Sequence, residues 1–337
     1  MIGRHKHLIG LEPLSREEIV ALLQLAVSMK EVLRRPIKKV PTLRGKAVVN
    51  LFFEASTRTR TSFETAAKIL SADALNWTSS TSSVTKGETL LDTARNIEAM
   101  HPDVLVIRHP ASGAPQYVAE RVGCAVANAG DGAHEHPSQG LLDLFTLAEH
   151  FTRVRGKAGV KDVVPDFATI AGKTITFVGD ISHSRVARSD LYGLTKLGAR
   201  VRFCGPPTMM PLGVETLGAT VHHQLREAVE GADAVVMLRI QHERIGDPLI
   251  PGTREYSKLW GLNEKKAAEW LTPTCAILHP GPINRGVELS PEVADGPRSV
   301  ILEQVENGVA VRMAVLYLLA GGAPEQGTSA TEGAARP

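Results

Sequence analysis

The stretch FFEASTRTRTSFETAAKIL, Phe52 to Leu70, places two arginines and a run of small hydroxyl residues, Ser56–Arg60, between two apolar patterns of different period. Ahead of it, KAVVNLFFE is β-rich and nearly continuous in apolar residues, as expected of a strand buried in a parallel sheet. Behind it, Phe63, Ala66, Ala67 and Leu70 recur at helical spacing, and Thr61 with Glu64 fits a capping box, which predicts a helix from Thr61. A strand, a tight polar turn and a helix N-terminus make an anion site, because unpaired N–H groups and the helix dipole converge on the turn. The arginines and hydroxyls point to phosphate as that anion.

The same alternation continues outward. Helix Arg16–Leu33, strand Ala47–Phe53, a strand near Asp103–Arg108, a short strand at Cys124–Asn128 and an amphipathic helix beginning at HPSQ predict α/β architecture with a parallel sheet. Thr152–Ala171 reads as a linker or surface excursion. After it the alternation restarts through KTITFVGD, SRVARSDLYGLTKLG, ARVRFCGP, ADAVVMLRI and CAILHPGP, which predicts a second doubly wound sheet. The helix Val300–Leu319 is expected to return to the first domain. The expected division is therefore residues 1–151 plus 300–322, residues 152–299, and a disordered tail over 323–337.

Composition narrows the function. The 337-residue chain is 43% hydrophobic and 22% charged, in the range of a globular protein with room for two cores. A net charge of +2 and only 4% aromatic residues argue against a nucleic-acid or membrane surface, so any anion site must gather its cations locally. Three widely spaced cysteines, Cys124, Cys204 and Cys275, read as reduced structural thiols. No signal-peptide core and no apolar run of spanning length occur, so a soluble, cytoplasmic protein is expected.

Ligands of an open parallel sheet bind beyond the carboxyl ends of its strands. Residues following the strand-like runs are Ser56–Arg60, Arg108–Pro110, His134 and His136, Asp180–Arg185, Arg239 with Gln241, and His279–Arg285. Most of these clusters carry arginine, the preferred bidentate partner of carboxylate and phosphate, which suggests a multiply anionic substrate. Arg58 and Arg60 face different ways on a helix, so Arg58 is expected at the anion and Arg60 in a structural ion pair. His134-x-His136 lacks an evident third ligand, and no metal is expected. His136 at a helix start is instead expected to stay neutral and donate to a carbonyl, with Gln139 near it on the same helix. VGDISHSR lacks the glycines of a dinucleotide turn, so no nucleotide cofactor is expected. Lys86, on a Ser- and Gly-rich loop, reads equally as a solvated lysine or as part of a mobile active-site loop.

Taken in order, STRTR, KGET, RHP, HPSQ, GDISHSRVARS, RIQ.ER and HPGPINRG resemble the carbamoyltransferases, above all those that carbamoylate aspartate, over roughly residues 5 to 320. The resemblance implies a two-domain homotrimer with active sites shared between subunits. It also implies reaction of carbamoyl phosphate with L-aspartate, no cofactor, and a regulatory chain or a dihydroorotase as candidate partners. Carried over, Ser56, Thr57, Arg58 and Thr59 hold the phosphate beside Arg108. Thr59, Arg108 and His136 contact the carbamoyl oxygen, and Gln139 contacts its NH2. Ser82 and Lys86 reach in from a neighbouring subunit. Arg185, Arg239 and Gln241 hold the aspartate carboxylates, and Gly281 with Pro282 lines the site.

The chain departs from the pattern at Thr85, which is a lysine in some relatives, at Gly281 within HPGP, and in the length of the 152–171 segment. Ornithine enzymes are the rival reading. They use an acidic SMG and HCLP set for a cationic acceptor, whereas Arg239 and Gln241 suit a dicarboxylate, and Pro280 stands where that cysteine would be.

Overall fold

The structure, a computed structural model, describes residues 5–78, 87–156, 163–240, 249–250 and 252–321. Two parallel sheets form its frame. The first contains β1 (Ala47–Phe52), β2 (Asp73–Thr78), β3 (Val104–His109) and β4 (Ala125–Asp131), in the order β2-β1-β3-β4. The second contains β5 (Thr174–Val178), β6 (Arg200–Cys204), β7 (Ala219–His222), β8 (Ala234–Met237) and β9 (Ala276–Leu278), in the order β7-β6-β5-β8-β9. Among the described residues the helices of the first half are α1 (Arg16–Arg34), α2 (Thr57–Ile69), α3 (Leu90–Glu98), α4 (Ala114–Ala119) and α5 (Pro137–Arg155). Those that follow are α6 (Arg185–Lys196), α7 (Leu225–Val229), α8 (Thr253–Leu259), α9 (Glu264–Trp270), α10 (Pro291–Ala294) and α11 (Ile301–Leu319). The expected α/β class with two doubly wound sheets is the architecture found.

β1 is a strand because Val48, Val49, Leu51 and Phe52 are apolar toward both faces, and all four are buried. Each contributes about 2 kcal/mol by leaving water. Asn50, fully buried between them, donates from Nδ2 to Asn76 Oδ1 at 2.9 Å, and Asn76 stands opposite it on β2. That pairing explains why β2 escaped the sequence reading: Asp73 and Asn76 depress strand propensity, and Asn76 is compensated only across space, by Asn50 on the neighbouring strand and Glu64 on α2.

α2 corrects the expectation most directly. It begins at Thr57, not Thr61, with Ser56 as N-cap in extended backbone. The Thr61–Glu64 capping box is absent; the Glu64 carboxylate accepts instead from Lys68 at 2.5 Å and Asn76 at 2.8 Å. STRTR is therefore the first turn of the helix, not a loop before it. Ser56 makes no side-chain cap.

Part of the expected 152–171 linker is helical, since α5 runs through Arg155, and Phe167–Ile170 forms a 3-10 turn. α5 joins the two sheets by packing on α6, and α11 packs on α1, α2 and α5, as expected of a helix returning to the first half. One hydrophobic core is consequently continuous across both sheets, from Phe63 and Val106 through Leu144 and Leu191 to Phe177 and Leu278. No helix among the described residues is long and apolar enough to cross a membrane. Cys204 and Cys275 are buried free thiols, each pushed up to about 12 by desolvation, and Cys124 is half-buried and raised to about 11. The expected tail lies outside the described residues.

Candidate active site

Strand order reverses direction between β1 and β3 in the first sheet and between β5 and β8 in the second, and ligands favour such switch points. Both crevices open on one cavity of about 430 Å³. It receives Glu54–Thr59 from the end of β1 and the start of α2, Arg108 from β3, and His136 and Gln139 from the start of α5. The second sheet adds Ser184 and Arg185 after β5, Arg239 after β8 and His279–Pro282 after β9.

The sequence-predicted set is thus brought together: Ser56, Thr57, Arg58, Thr59, Arg108, His136, Gln139, Arg185, Arg239, Gly281 and Pro282 all line this cavity. Arg60 does not line it, and the Glu64 carboxylate near it is paired with Lys68 at 2.5 Å. Ser82, Lys86 and Gln241 lie outside the described residues. His134 points elsewhere, toward Asp131 at 3.1 Å, and that carboxylate raises its pKa. Glu12, His134 and Glu135 could each offer a ligand atom within 4.8 Å of the others. Glu135, however, is committed to Leu11 N–H at 2.7 Å, Glu12 N–H at 3.1 Å and Ser189 Oγ–H at 2.7 Å. His136, the other half of the His-x-His pair, is not in that group.

Electrostatics define the cavity. Five arginines line it, Arg58, Arg108, Arg185, Arg239 and Arg312, against one carboxylate, Glu54, among the described residues. Glu54 Oε1 accepts from Arg108 Nη2 at 2.8 Å and from Arg185 Nη2 at 2.6 Å, which ties the end of β1 to the second sheet's first helix. Arg108 also donates from Nη1 to Ala129 carbonyl at 3.1 Å. Desolvation, then the nearby Arg239 charge, lowers the Arg58 pKa. Burial, followed by the fields of Arg58 and Arg239, drives His279 down to about 3, so it is neutral at physiological pH. Its Nδ1 accepts from the Gly281 N–H at 2.7 Å, which places the ring proton on Nε2.

Two glycines let the arginines converge. Gly281 has φ +68°, and a Cβ there would lie 2.8 Å from Arg58 Cζ. At Gly130, φ +111°, a Cβ would lie 3.0 Å from Arg185 Nε and 3.1 Å from Arg108 Nη1. Any side chain would displace guanidinium groups as well as strain the backbone.

His136 is the N-cap of α5, followed by Pro137, and its own N–H donates to Ser189 Oγ on α6 at 2.9 Å. The ring is therefore held at the positive end of a 19-residue helix and is buried. Gln139, three residues on, donates from Nε2 to Asp143 Oδ1 at 3.1 Å and Oδ2 at 3.2 Å. Glu54, Asp143, Gln304 and Arg312 were missed by the sequence reading. Glu54 carried a readable signal, a lone acid closing a strand among arginines, while the other three are recognisable only once α5 and α11 are packed.

The combination of a helix N-terminus, hydroxyls and converging guanidiniums suits two linked anions, a phosphate over α2 and carboxylates toward the second sheet. Comparison with known proteins agrees. Residues 6–149 match the carbamoyl-P binding domain of aspartate/ornithine carbamoyltransferases, and residues 171–319 match their Asp/Orn binding domain. The aspartate carbamoyltransferase catalytic subunit of Anaeromyxobacter dehalogenans is 77% identical over 326 residues, covering 97% of this chain and 99% of that one. Its counterpart from Geobacter sulfurreducens is 61% identical over 320 residues, covering 95% and 97%. Aspartate transcarbamoylase from Trypanosoma cruzi, solved with carbamoyl aspartate and phosphate, superposes with TM-score 0.79 at 29% identity, over 92% of this chain and 94% of that one. Ornithine carbamoyltransferase from Thermus thermophilus gives 0.77 at 27% identity, over 94% and 99%. With both halves matched and the site at their junction, the chain belongs to the aspartate/ornithine carbamoyltransferase family.

Proposed function

We propose that the chain transfers the carbamoyl group of carbamoyl phosphate to the amine of L-aspartate, giving N-carbamoyl-L-aspartate and phosphate, a step of pyrimidine biosynthesis. The observation that carries this reading is the convergence of Arg58, Arg108, Arg185 and Arg239 from both sheets on one cavity that opens over the N-terminus of α2. The two substrates bring roughly four negative charges once the amine is neutral. A cationic acceptor such as ornithine would meet Arg239 and Arg185 as like charges, which disfavours it.

In this reading Ser56, Thr57, Arg58 and Thr59 hold the phosphate, and Thr59, Arg108 and His136 polarise the carbamoyl carbonyl. Gln139 takes the carbamoyl NH2, and Arg185, Arg239 and Gln241 orient the aspartate. The amine forms the new C–N bond as the C–O bond to phosphate breaks, and the departing phosphate accepts the amine proton. No covalent enzyme intermediate or cofactor is required, because orientation and electrostatic stabilisation act on the one displacement. The two sheets divide the labour: residues 1–151 with 300–322 carry carbamoyl phosphate and 152–299 carry aspartate.

Ser82 and Lys86 complete the site from a neighbouring subunit of a cytoplasmic homotrimer, to which a regulatory chain or a dihydroorotase can dock. The direct test is colorimetric detection of carbamoyl-aspartate formed by the purified protein from the two substrates. Absence of product sinks the reading. Sharing is tested by mixing Lys86→Ala with Arg58→Ala protein, since reassociated trimers should regain partial activity and silence would refute a shared site.

A further inference from the structure

Behind the cavity, where α5 meets α6, two carboxyl groups are buried against each other. Asp143 on α5 and Asp190 on α6 are 1% and 0% exposed, on helices packed against each other, and the two carboxyls lie close enough to act on one another. Their surroundings differ. Asp143 Oδ1 accepts from Gln304 Nε2 at 2.6 Å, and both its oxygens accept from Gln139 Nε2. Neither oxygen of Asp190 meets an N–H or O–H donor among the described residues. Three helices face the pair. From α11 come Gln304 and Arg312, whose charge favours the ionised Asp143; from α5 comes Gln139; and α6 contributes Asp190 itself. One cation therefore faces two carboxyls, and two carboxylates in contact away from water cannot both stay ionised.

We propose that Asp143 and Asp190 share a single proton resident on Asp190, and that the resulting Asp143 carboxylate is a positioning residue that turns the Gln139 carbonyl oxygen toward the cavity. The proton sits on Asp190 because Asp143 already has N–H donors to stabilise its charge. An ionised carboxylate accepts only, so it can take the NH2 of Gln139 and not its carbonyl. Oε1 is then left to the cavity that Gln139 lines. There it selects a substrate whose carbonyl carries N–H groups over one that carries a methyl. Burial supports the assignment by raising both carboxyls above the ordinary carboxylate range, Asp190 well above it. Acidification that protonates Asp143 as well loosens its hold on the Gln139 orientation. The selection half of the inference rests on the assignment of Gln139 to the carbamoyl group.

Infrared difference spectroscopy of the whole protein at pH 7.5 reads the proton directly. A carboxylic-acid C=O band should be present and should vanish in Asp190→Asn; its absence from the wild type, or its survival in the variant, overturns the shared proton. Calorimetry then compares phosphonoacetamide, which bears an NH2 on its carbonyl, with acetonylphosphonate, which bears a methyl. Asp143→Asn should weaken the amide probe about tenfold and change the methyl probe by less than about twofold. Asp190→Asn keeps a neutral donor to Asp143 and should retain the preference; its loss there would overturn the proton's placement. Gln139→Met should lose the preference as well. If Gln139→Met loses it and Asp143→Asn does not, positioning is refuted. If Gln139→Met keeps it, the assignment of Gln139 has failed, and selection by Asp143 falls with it, whatever the infrared band shows.

Discussion

The two ends of the cavity are held by different means. The end proposed for phosphate is one continuous piece of chain, Glu54–Ser62, in which a strand runs straight into the first turn of α2. Its N–H groups and dipole are fixed by backbone geometry, and Arg58 adds charge to a direction already set. At the acceptor end Arg185, Arg239 and His279–Pro282 follow three separate strands of the second sheet. Nothing local aims them; sheet order does. The first end is preorganised by covalent continuity, the second by tertiary packing, and Glu54 bonds one arginine beside each sheet, Arg108 and Arg185.

That contrast can be broken by substitution. Arg58→Ala should have the largest effect, a fall in kcat of about a thousandfold, or about 4 kcal/mol, because in the proposed reaction Arg58 meets the charge that develops on the leaving phosphate. A loss below tenfold in steady-state assays would mean that the helix N-terminus suffices alone. Arg239→Ala should raise the aspartate KM about a hundredfold and leave the carbamoyl phosphate KM within about threefold. Equal loss of both affinities would erase the proposed division between the ends.

Glu54→Gln sharpens the comparison at their meeting point. It keeps the size of the side chain but removes the charge that Arg108 and Arg185 share, so both KM values should rise by a similar factor, about tenfold in kcat/KM. An effect confined to one substrate would show that Glu54 serves one arginine only.

The smallest effect concerns stability. His279 titrates near 3 when folded and near 6.5 when unfolded, so between those values the unfolded chain binds the extra proton. Its contribution is therefore fully present above about pH 6.5 and is lost progressively as pH falls toward 3. His279→Asn preserves an acceptor for the Gly281 N–H and removes this titration. Melting temperature should decline less steeply between pH 6.5 and 4 in the variant than in the wild type. Parallel declines would show that the ring protonates in place.

Much of this was legible in the chain. β1 and the arginine-bearing strand ends announced themselves through runs of apolar residues broken by charge. The start of α2 was misplaced by one turn because Thr61 and Glu64 imitate a cap, while Glu64 is drawn off by Lys68 and Asn76. β2 was missed because the partners of Asn76, Asn50 and Glu64, are 26 and 12 residues away in sequence. Asp143 was passed over within the amphipathic helix that begins at HPSQ, because its approach to Asp190 on α6 depends on how α5 packs there.

The amino-acid order alone determined most of the alternation of strand and helix, the polar turn after β1 and the kind of charge each strand end delivers. These follow from neighbours a few residues apart, where periodicity and capping act. Which side chains share a cavity, which carboxyl keeps a proton, and that Glu54 bridges two arginines 54 and 131 residues distant were decided by the packing of α5, α6 and α11 between two sheets. Burial and desolvation depend on what lies across space, and a linear pattern does not encode that distance.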